Sequence, residues 1–235
     1  MITIKATVVS DGIAIGTIRV LKKKEIEINT CRVEDVEEEI CRYRDATQRV
    51  QMIFEELYEE TLSATNAESA EIFSSYQMLL SDVAFVDAVE KKIRNRSMNA
   101  EAAAAMVRDE FKKMFEMMED PYMCARAADV EDVSNRLIYE LLGVEKEAVA
   151  LDNDNEEGFI LFSDDLTPAE FIQMDKKYLE AIVLKHGSIH SHTSILARTM
   201  HIPAMVGAAF LKVSEGKLAI VDGDEGLIYI DPENE

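Results

Sequence analysis

The sequence predicts an α/β domain into which an all-α helical bundle is inserted, and three observations predict it. Strand-like segments rich in Ile, Val and Thr open the chain and return after residue 143, helical periodicity fills the interval, and the opening strands are too few to bury a face of their own. Such strands most economically join the other strand-forming segment. Residues 1–29 and 144–235 then form one α/β domain, and 30–143 form the insertion.

The first twenty residues, MITIKATVVSDGIAIGTIRV, read as short strands turning at Gly12 and Gly16. From about Glu34 the period lengthens. Val36, Ile40, Tyr43, Val50, Ile53 and Leu57 recur mostly three, four or seven residues apart, the stripe of a long amphipathic helix. A second helix runs from about Glu68 to Leu80 on Ile72, Phe73, Tyr76, Leu79 and Leu80, and a third spans Phe85–Arg94. Asn99 is placed to cap a fourth, which carries Met106, Val107, Phe111, Met114, Phe115 and Met118. Asp120-Pro121 supplies a cap and a proline at the first helical position, and this fifth helix stops at Gly143. Beyond it, EGFILFSDDL is a strand, and Thr167, Pro168 and Glu170 spell a capping box. LEAIVLKHG is a further strand, followed by a helix from about Thr193 to Met200. IPAMVG, KLAIVDG and GLIYIDP are compact strands between glycine turns.

With 46 acidic against 25 basic residues the net charge is −21, which repels a phosphate backbone and argues against a nucleic-acid partner. Residues 31–143 hold 25 acidic and 13 basic side chains, so much of the excess sits on the insertion. There it serves solubility and would attract a basic protein partner. No apolar run approaches the roughly 18 residues a membrane helix needs, and the N-terminus shows no cleavable signal. Cys31, Cys41 and Cys124 lack metal-site spacing, and their odd count argues against a disulfide framework. A reducing, cytoplasmic setting is expected.

All four histidines fall within HGSIHSHTSILARTMH, residues 186–201. His192 stands at the threshold of a helix whose free N–H groups and dipole favour an anion, with Ser191 and Thr193 beside it and Gly187 before it. A neutral imidazole there can attack a phosphoryl group, with Ser191, Thr193, Arg198 and His190 as candidates to orient the phosphate. The bland alternative is a solvated loop histidine. A metal site at His186, His190 and His192 is disfavoured, because Gly187 and Ser188 break the helix that would align them and no acid or cysteine completes the set. His201 suits the C-terminal dipole of the same helix. Neither a P-loop nor a dinucleotide fingerprint is present, and VDGDEG reads as a turn between strands. Met114, Met117, Met118 and Met123 are expected mostly to fill the bundle core, with a sticky surface groove as the alternative.

Taken in order, VSDGIAIG (9–16), AEIFSSYQMLLSD (70–82), ARAADVEDVSNRL (125–137), DLTPAE (165–170), SHTSILAR (191–198), IPAMVG (202–207) and VDGDEG (221–226) resemble the amino-terminal half of enzyme I of the bacterial phosphoenolpyruvate:sugar phosphotransferase system. The resemblance implies a swivelling α/β phosphohistidine domain with an inserted helical domain that docks the phosphocarrier HPr. It implies a transferase in which His192 receives phosphate from phosphoenolpyruvate and passes it to HPr. Met78, Leu79, Arg126 and Glu68 fall where the docking surface would lie. No cofactor is expected in this portion. A further C-terminal domain would bind phosphoenolpyruvate and magnesium and carry dimerisation, so exchange with phosphorylated HPr, rather than forward autophosphorylation, is expected of this chain alone. Two other readings stay open: the histidine domain of another phosphoenolpyruvate-utilising enzyme, and a noncatalytic HPr-binding regulatory module.

The chain departs from the family at three places. Where GGRTSH is usual, Ile189-His190 replaces Arg-Thr. Phe171 stands where a threonine can hold the active histidine, and Ser10-Asp11 replaces a serine-proline pair. These changes bear on transfer rate and histidine orientation more than on fold. His190 is a possible substitute for the lost threonine or the lost cation.

Overall fold

The computed structural model describes residues 1–21, 27–144, 157–210 and 215–232. The ends of the chain meet in one eight-stranded sheet. Its strands are β1 (Ile2–Lys5), β2 (Thr7–Ser10), β3 (Ile13–Leu21), β4 (Phe159–Ser163), β5 (Leu179–Leu184), β6 (Ala204–Val206), β7 (Leu218–Asp222) and β8 (Leu227–Ile230), in the order β1-β8-β7-β3-β4-β5-β6-β2. The expectation that the opening strands join the C-terminal layer is met: β3 lies between β4 and β7, β1 on β8, and β2 on β6. The run β3-β4-β5-β6 is parallel and the remaining pairs are antiparallel.

The parallel strands explain their composition. Every residue of FILFS in β4 is buried, as a strand covered on both faces requires. β3 instead alternates, with Ala14 and Ile18 in the core and Ile13 and Ile15 exposed. The core joins Ile18, Ile160, Phe162, Val183, Met205, Val221 and Ile228. Two short helices serve the parallel side, α6 (Pro168–Gln173) and α7 (His192–Thr199), with α7 packed on β2, β6 and α6.

Five helices make the second compact unit: α1 (Val36–Ala64), α2 (Ala67–Ser81), α3 (Val83–Arg96), α4 (Ala100–Glu116) and α5 (Pro121–Leu142). The units divide as Met1–Lys24 with Glu147–Glu235, and Glu25–Lys146. Residues just before α1 are zipped to the α3–α4 turn: the Val33 amide donates to Ser97 O, and the Asn99 amide donates to Cys31 O. The α1 stripe buries Ile40, Tyr43, Val50 and Leu57 as expected, but Phe54 rather than Ile53 completes it. Phe54 meets Phe73 and Tyr76 of α2 in an aromatic cluster.

Two expectations are corrected. Asn99 occupies the cap position of α4, yet its side chain makes no cap bond. It accepts from Cys31 N at 2.8 Å and donates to Asn29 O at 2.9 Å, while the Glu39 carboxylate of α1 takes the Ala100 amide at 2.5 Å. Of the methionines expected in the core, Met114 and Met117 are 49% and 75% exposed, while Met118 and Met123 are half-buried. The buried stripe of α4 is Ala100, Ala103, Ala104 and Val107, whose small side chains let α4 lie close against α5.

Among the described residues no single helix is long and apolar enough to cross a membrane. The bent pair α2 and α3 passes by length and composition only, and its residues Ile72, Phe73, Leu80, Phe85 and Ile93 are buried within the protein.

Candidate active site

The histidine stretch folds as a loop closing into a helix at the end of β5. Backbone bonds from Lys185 N to Ser163 O and from His186 N to Asp164 O carry the β4–β5 pairing to the loop's first residues. Gly187 then turns the chain at φ +120°, a conformation L side chains rarely adopt. Gly12 does the same at the β2–β3 turn, at φ +116°, where a Cβ would lie 3.1 Å from Pro203 Cγ.

Three serines lock the loop to the helix. Ser194 Oγ donates to Ser188 O at 2.7 Å, Ser191 Oγ donates to Ser194 Oγ at 2.9 Å, and Ser191 Oγ caps α7 by accepting the Ser194 amide. The helix therefore starts at His192 itself, one residue before the expected Thr193. Helix geometry leaves the first-turn amides without intrahelical acceptors, and the Ser194 and Ile195 amides are taken by Ser191. The Thr193 amide stays directed at the entrance of the helix, where the dipole is positive.

His192 is half-buried, with Nδ1 shielded from solvent. The neighbours expected to orient a phosphate have other tasks. Thr193 is buried and its hydroxyl donates to Leu166 O at 2.6 Å, fastening α7 to the residue before the Thr167 cap of α6. Arg198 donates from Nε to Val9 O at 3.2 Å and from Nη2 to Ile189 O at 3.0 Å, so its guanidinium straps β2 to the loop. His190 is exposed, with its amide on Ser188 Oγ at 3.2 Å. Phe171 is fully buried in α6, and His201 follows α7 at φ +54°. The parts that sequence reasoning missed are Ser188, Ser194 and the Leu166 and Val9 carbonyls. The first two were visible only as small polar residues, and a backbone acceptor leaves no trace in sequence.

In the helical unit Met78 is 71% exposed, Leu79 half-buried and Glu68 exposed, all on α2. Arg126 lies on the adjoining α5, with Nη1 3.9 Å from Asp129 and its guanidinium 5.7 Å from the Tyr122 ring centre. The Tyr76 hydroxyl ties the two helices by donating to Asp129 at 3.3 Å and Asp132 at 3.4 Å. Burial, reinforced by these carboxylates, holds the Tyr76 phenol well above its ordinary pKa, so it remains a donor. Among the described residues no three His, Cys, Asp or Glu side chains converge as a metal site.

An eight-stranded α/β unit with a histidine at a helix entrance, and a separate unit of helices, is the two-unit architecture that the comparisons with known proteins recognise. The chain belongs to the PEP-utilising enzymes: the model of their N-terminal region matches residues 5–126, and that of their mobile domain matches 155–226. Two similar proteins are the phosphoenolpyruvate-protein phosphotransferases of Bacillus subtilis (strain 168), 35% identical over 228 residues and 96% of this chain, and of Staphylococcus carnosus (strain TM300), 32% identical over 236 residues and 99% of it. The chain spans about 40% of the length of each. A solution structure of Enzyme I aligns over 98% of this chain and 93% of its own at 35% identity, with a TM-score of 0.72. The N-terminal domain of Enzyme 1 – Nitrogen aligns over 98% and 94% at 25% identity, with a TM-score of 0.61. The fold shared with them is the sheet unit plus the helical unit, as the seven ordered motifs implied.

Proposed function

We propose that this chain carries a phosphoryl group on His192 and exchanges it with the phosphocarrier HPr, as the histidine-bearing portion of a phosphoenolpyruvate-protein phosphotransferase of the sugar phosphotransferase system. The observation that carries the reading is the pose of His192 at the entrance of α7, with Nδ1 turned inward. On this reading Nε2 is the nitrogen that meets an incoming phosphorus.

In the exchange the Nε2 lone pair forms the new N–P bond in line as the donor's N–P bond breaks. The breaking pair returns to the donor ring, which departs as neutral imidazole, and His192 keeps its Nδ1 proton. One protonated phosphohistidine and one neutral imidazole are consumed and formed, so the step is close to thermoneutral. Charge spread over the equatorial oxygens meets the Thr193 amide and the α7 dipole. Ser191 and Thr193 act as positioning residues, because their hydroxyl protons go to Ser194 and Leu166. Arg198 acts likewise, through the Val9 and Ile189 carbonyls that it holds.

The helical unit supplies docking. Exposed Met78 and half-buried Leu79 make an apolar centre, Glu68 and Arg126 a charged rim, and the acidic surplus attracts a carrier with a basic rim. Phosphoenolpyruvate, magnesium and dimerisation belong, on this reading, to the remainder of the longer relatives. The three free thiols suit a cytoplasmic setting.

Incubation with phosphorylated HPr should place acid-labile phosphate on His192 and none on H192A. HPr binding without phosphate incorporation would instead make the chain a noncatalytic docking module, a reading that the replacements at His190 and Phe171 favour.

A further inference from the structure

We infer that the open face of the sheet unit is a self-association surface, on which a second copy of this chain docks face to face. Strand register defines the face. Asp222, Leu227 and Lys5 stand abreast on β7, β8 and β1, with Ile13 beside Asp222 on β3. Two residues along, Ile15, Ile220, Tyr229 and Thr3 form a second row, and Leu218 on β7 begins a third. Residues abreast in register share a side of the sheet, and their chain neighbours Ala14, Val221 and Ile228 point the other way, into the core. The rows therefore occupy the outer side. There Ile13, Ile15 and Leu218 are 63%, 58% and 42% exposed, and Ile220, Leu227 and Tyr229 are half-buried.

Charge selects a second copy as the occupant. The chain as a whole carries −21, yet this face is balanced: Lys5 answers Asp222 in the first row, and at the far end Asp231 is paired with Lys217 at 2.8 Å. A surface built for a basic partner would share the acidic surplus. The placement of the first pair is also reciprocal, since Lys5 and Asp222 lie one strand to either side of Leu227. A twofold axis running along β8 exchanges β1 with β7. Lys5 of each copy then meets Asp222 of the other, while Leu227 and Tyr229 meet their own counterparts, in the near-aligned manner of packed sheets. Ile13 and Ile15 reach past the second copy's β1 and shield the strand at the end of the sheet, whose outer edge is otherwise open to pairing.

Area sets the strength. Strands about 4.8 Å apart and residues about 3.4 Å apart make four strands by five residues a face of roughly 300 Å² in plan. That is the size of the apolar patches that single chains keep for binding, and it falls short of the about 800 Å² per partner of a stable complex. The product is a weak, reversible dimer. His192 lies outside this surface, so the inference stands apart from the carrier reading.

The test is sedimentation of the whole chain over a wide range of concentration. Wild type should pass reversibly from monomer to dimer. Leu227→Glu sets two carboxylates against each other at the axis and should abolish the dimer. Lys5→Glu, at an exposed position, should weaken it roughly tenfold or more, because both charge pairs become repulsive. Adding Asp222→Asn to Lys5→Glu removes that repulsion and should recover part of the loss. Asn keeps the side-chain oxygen that accepts the Asp224 and Glu225 amides, so the turn after β7 survives. A wild-type chain that stays monomeric at every concentration overturns the inference. So does a dimer that L227E and K5E leave intact, which would place the contact on another surface, or a K5E loss that D222N does not relieve.

Discussion

The contact most informative to break is the hydroxyl of Thr193. It is buried and donates at 2.6 Å to the carbonyl of Leu166, itself 2% exposed. Thr193→Val keeps the shape and both branches of the side chain, so no cavity forms, but it strands a buried acceptor. An unsatisfied buried carbonyl costs about 1–3 kcal/mol. In a unit of this size each kcal/mol lowers the melting temperature by roughly 4 °C, so the sheet unit should melt about 4–12 °C earlier. Calorimetry resolves this from the helical unit, whose transition should not move. Thr193→Ser keeps the donor and should recover most of the loss. If T193V melts like wild type yet exchanges phosphate slowly, the hydroxyl serves phosphate directly and the positioning role argued above is refuted.

Glu39 offers a pH-dependent counterpart in the helical unit. Burial raises its pKa, but the hydrogen bonds from Arg42 and the Ala100 amide outweigh burial and hold it below the ordinary carboxylate value. A folded pKa below the unfolded one means stabilisation that is complete above about pH 4.3 and is lost as pH falls through the folded value. E39Q should therefore cost about 1–2 kcal/mol at pH 7 in urea unfolding and cost less at pH 4; an equal cost at both would contradict the assignment. Met117→Ser should leave stability within about 0.5 kcal/mol, because the side chain is 75% exposed, whereas Ala103→Leu should cost about 1–3 kcal/mol by prising α4 from α5. Gly187→Ala, forced to φ +120°, should cost about 1–3 kcal/mol and slow phosphate exchange, read by melting and by label transfer from phosphorylated HPr.

Periodicity and caps made most of the fold legible. Asp120-Pro121 and Thr167-Pro168-Glu170 start α5 and α6, and Gly143 ends α5 in a left-handed conformation. These signals are local, so they survive in the sequence. What failed was non-local or rested on size. The Glu39 cap of Ala100 joins residues 61 apart, and no pattern around Asn99 announces that its side chain is occupied by Cys31 and Asn29. Met114 and Met117 were expected, with Met118 and Met123, mostly to fill the bundle core, and both are exposed. Close packing on α5 instead selected the alanine stripe, which hydrophobicity alone ranks low. At the site, the position of His192 on a helix threshold was readable, while the destinations of the hydroxyls of Ser191, Thr193 and Ser194 were not. Each depends on which carbonyl or hydroxyl the folded chain brings within reach.

Those destinations divide the labour at the site. Ser194 donates to Ser188, Ser191 to Ser194 and Thr193 to Leu166, so the polar side chains that flank His192 spend their protons on geometry. Such a loop pays no reorganisation cost when phosphate arrives, but it also offers the phosphate few side-chain donors. Charge neutralisation is left to the Thr193 amide, the helix dipole and whatever cation the loop can present. If His192 carries phosphate as proposed, a phosphate held this weakly would be suited to being passed on, because tight binding of the transferred group would deepen the phosphohistidine ground state and slow its departure to a second histidine. Adding donors to the loop should thus prolong the phosphorylated state at the expense of exchange.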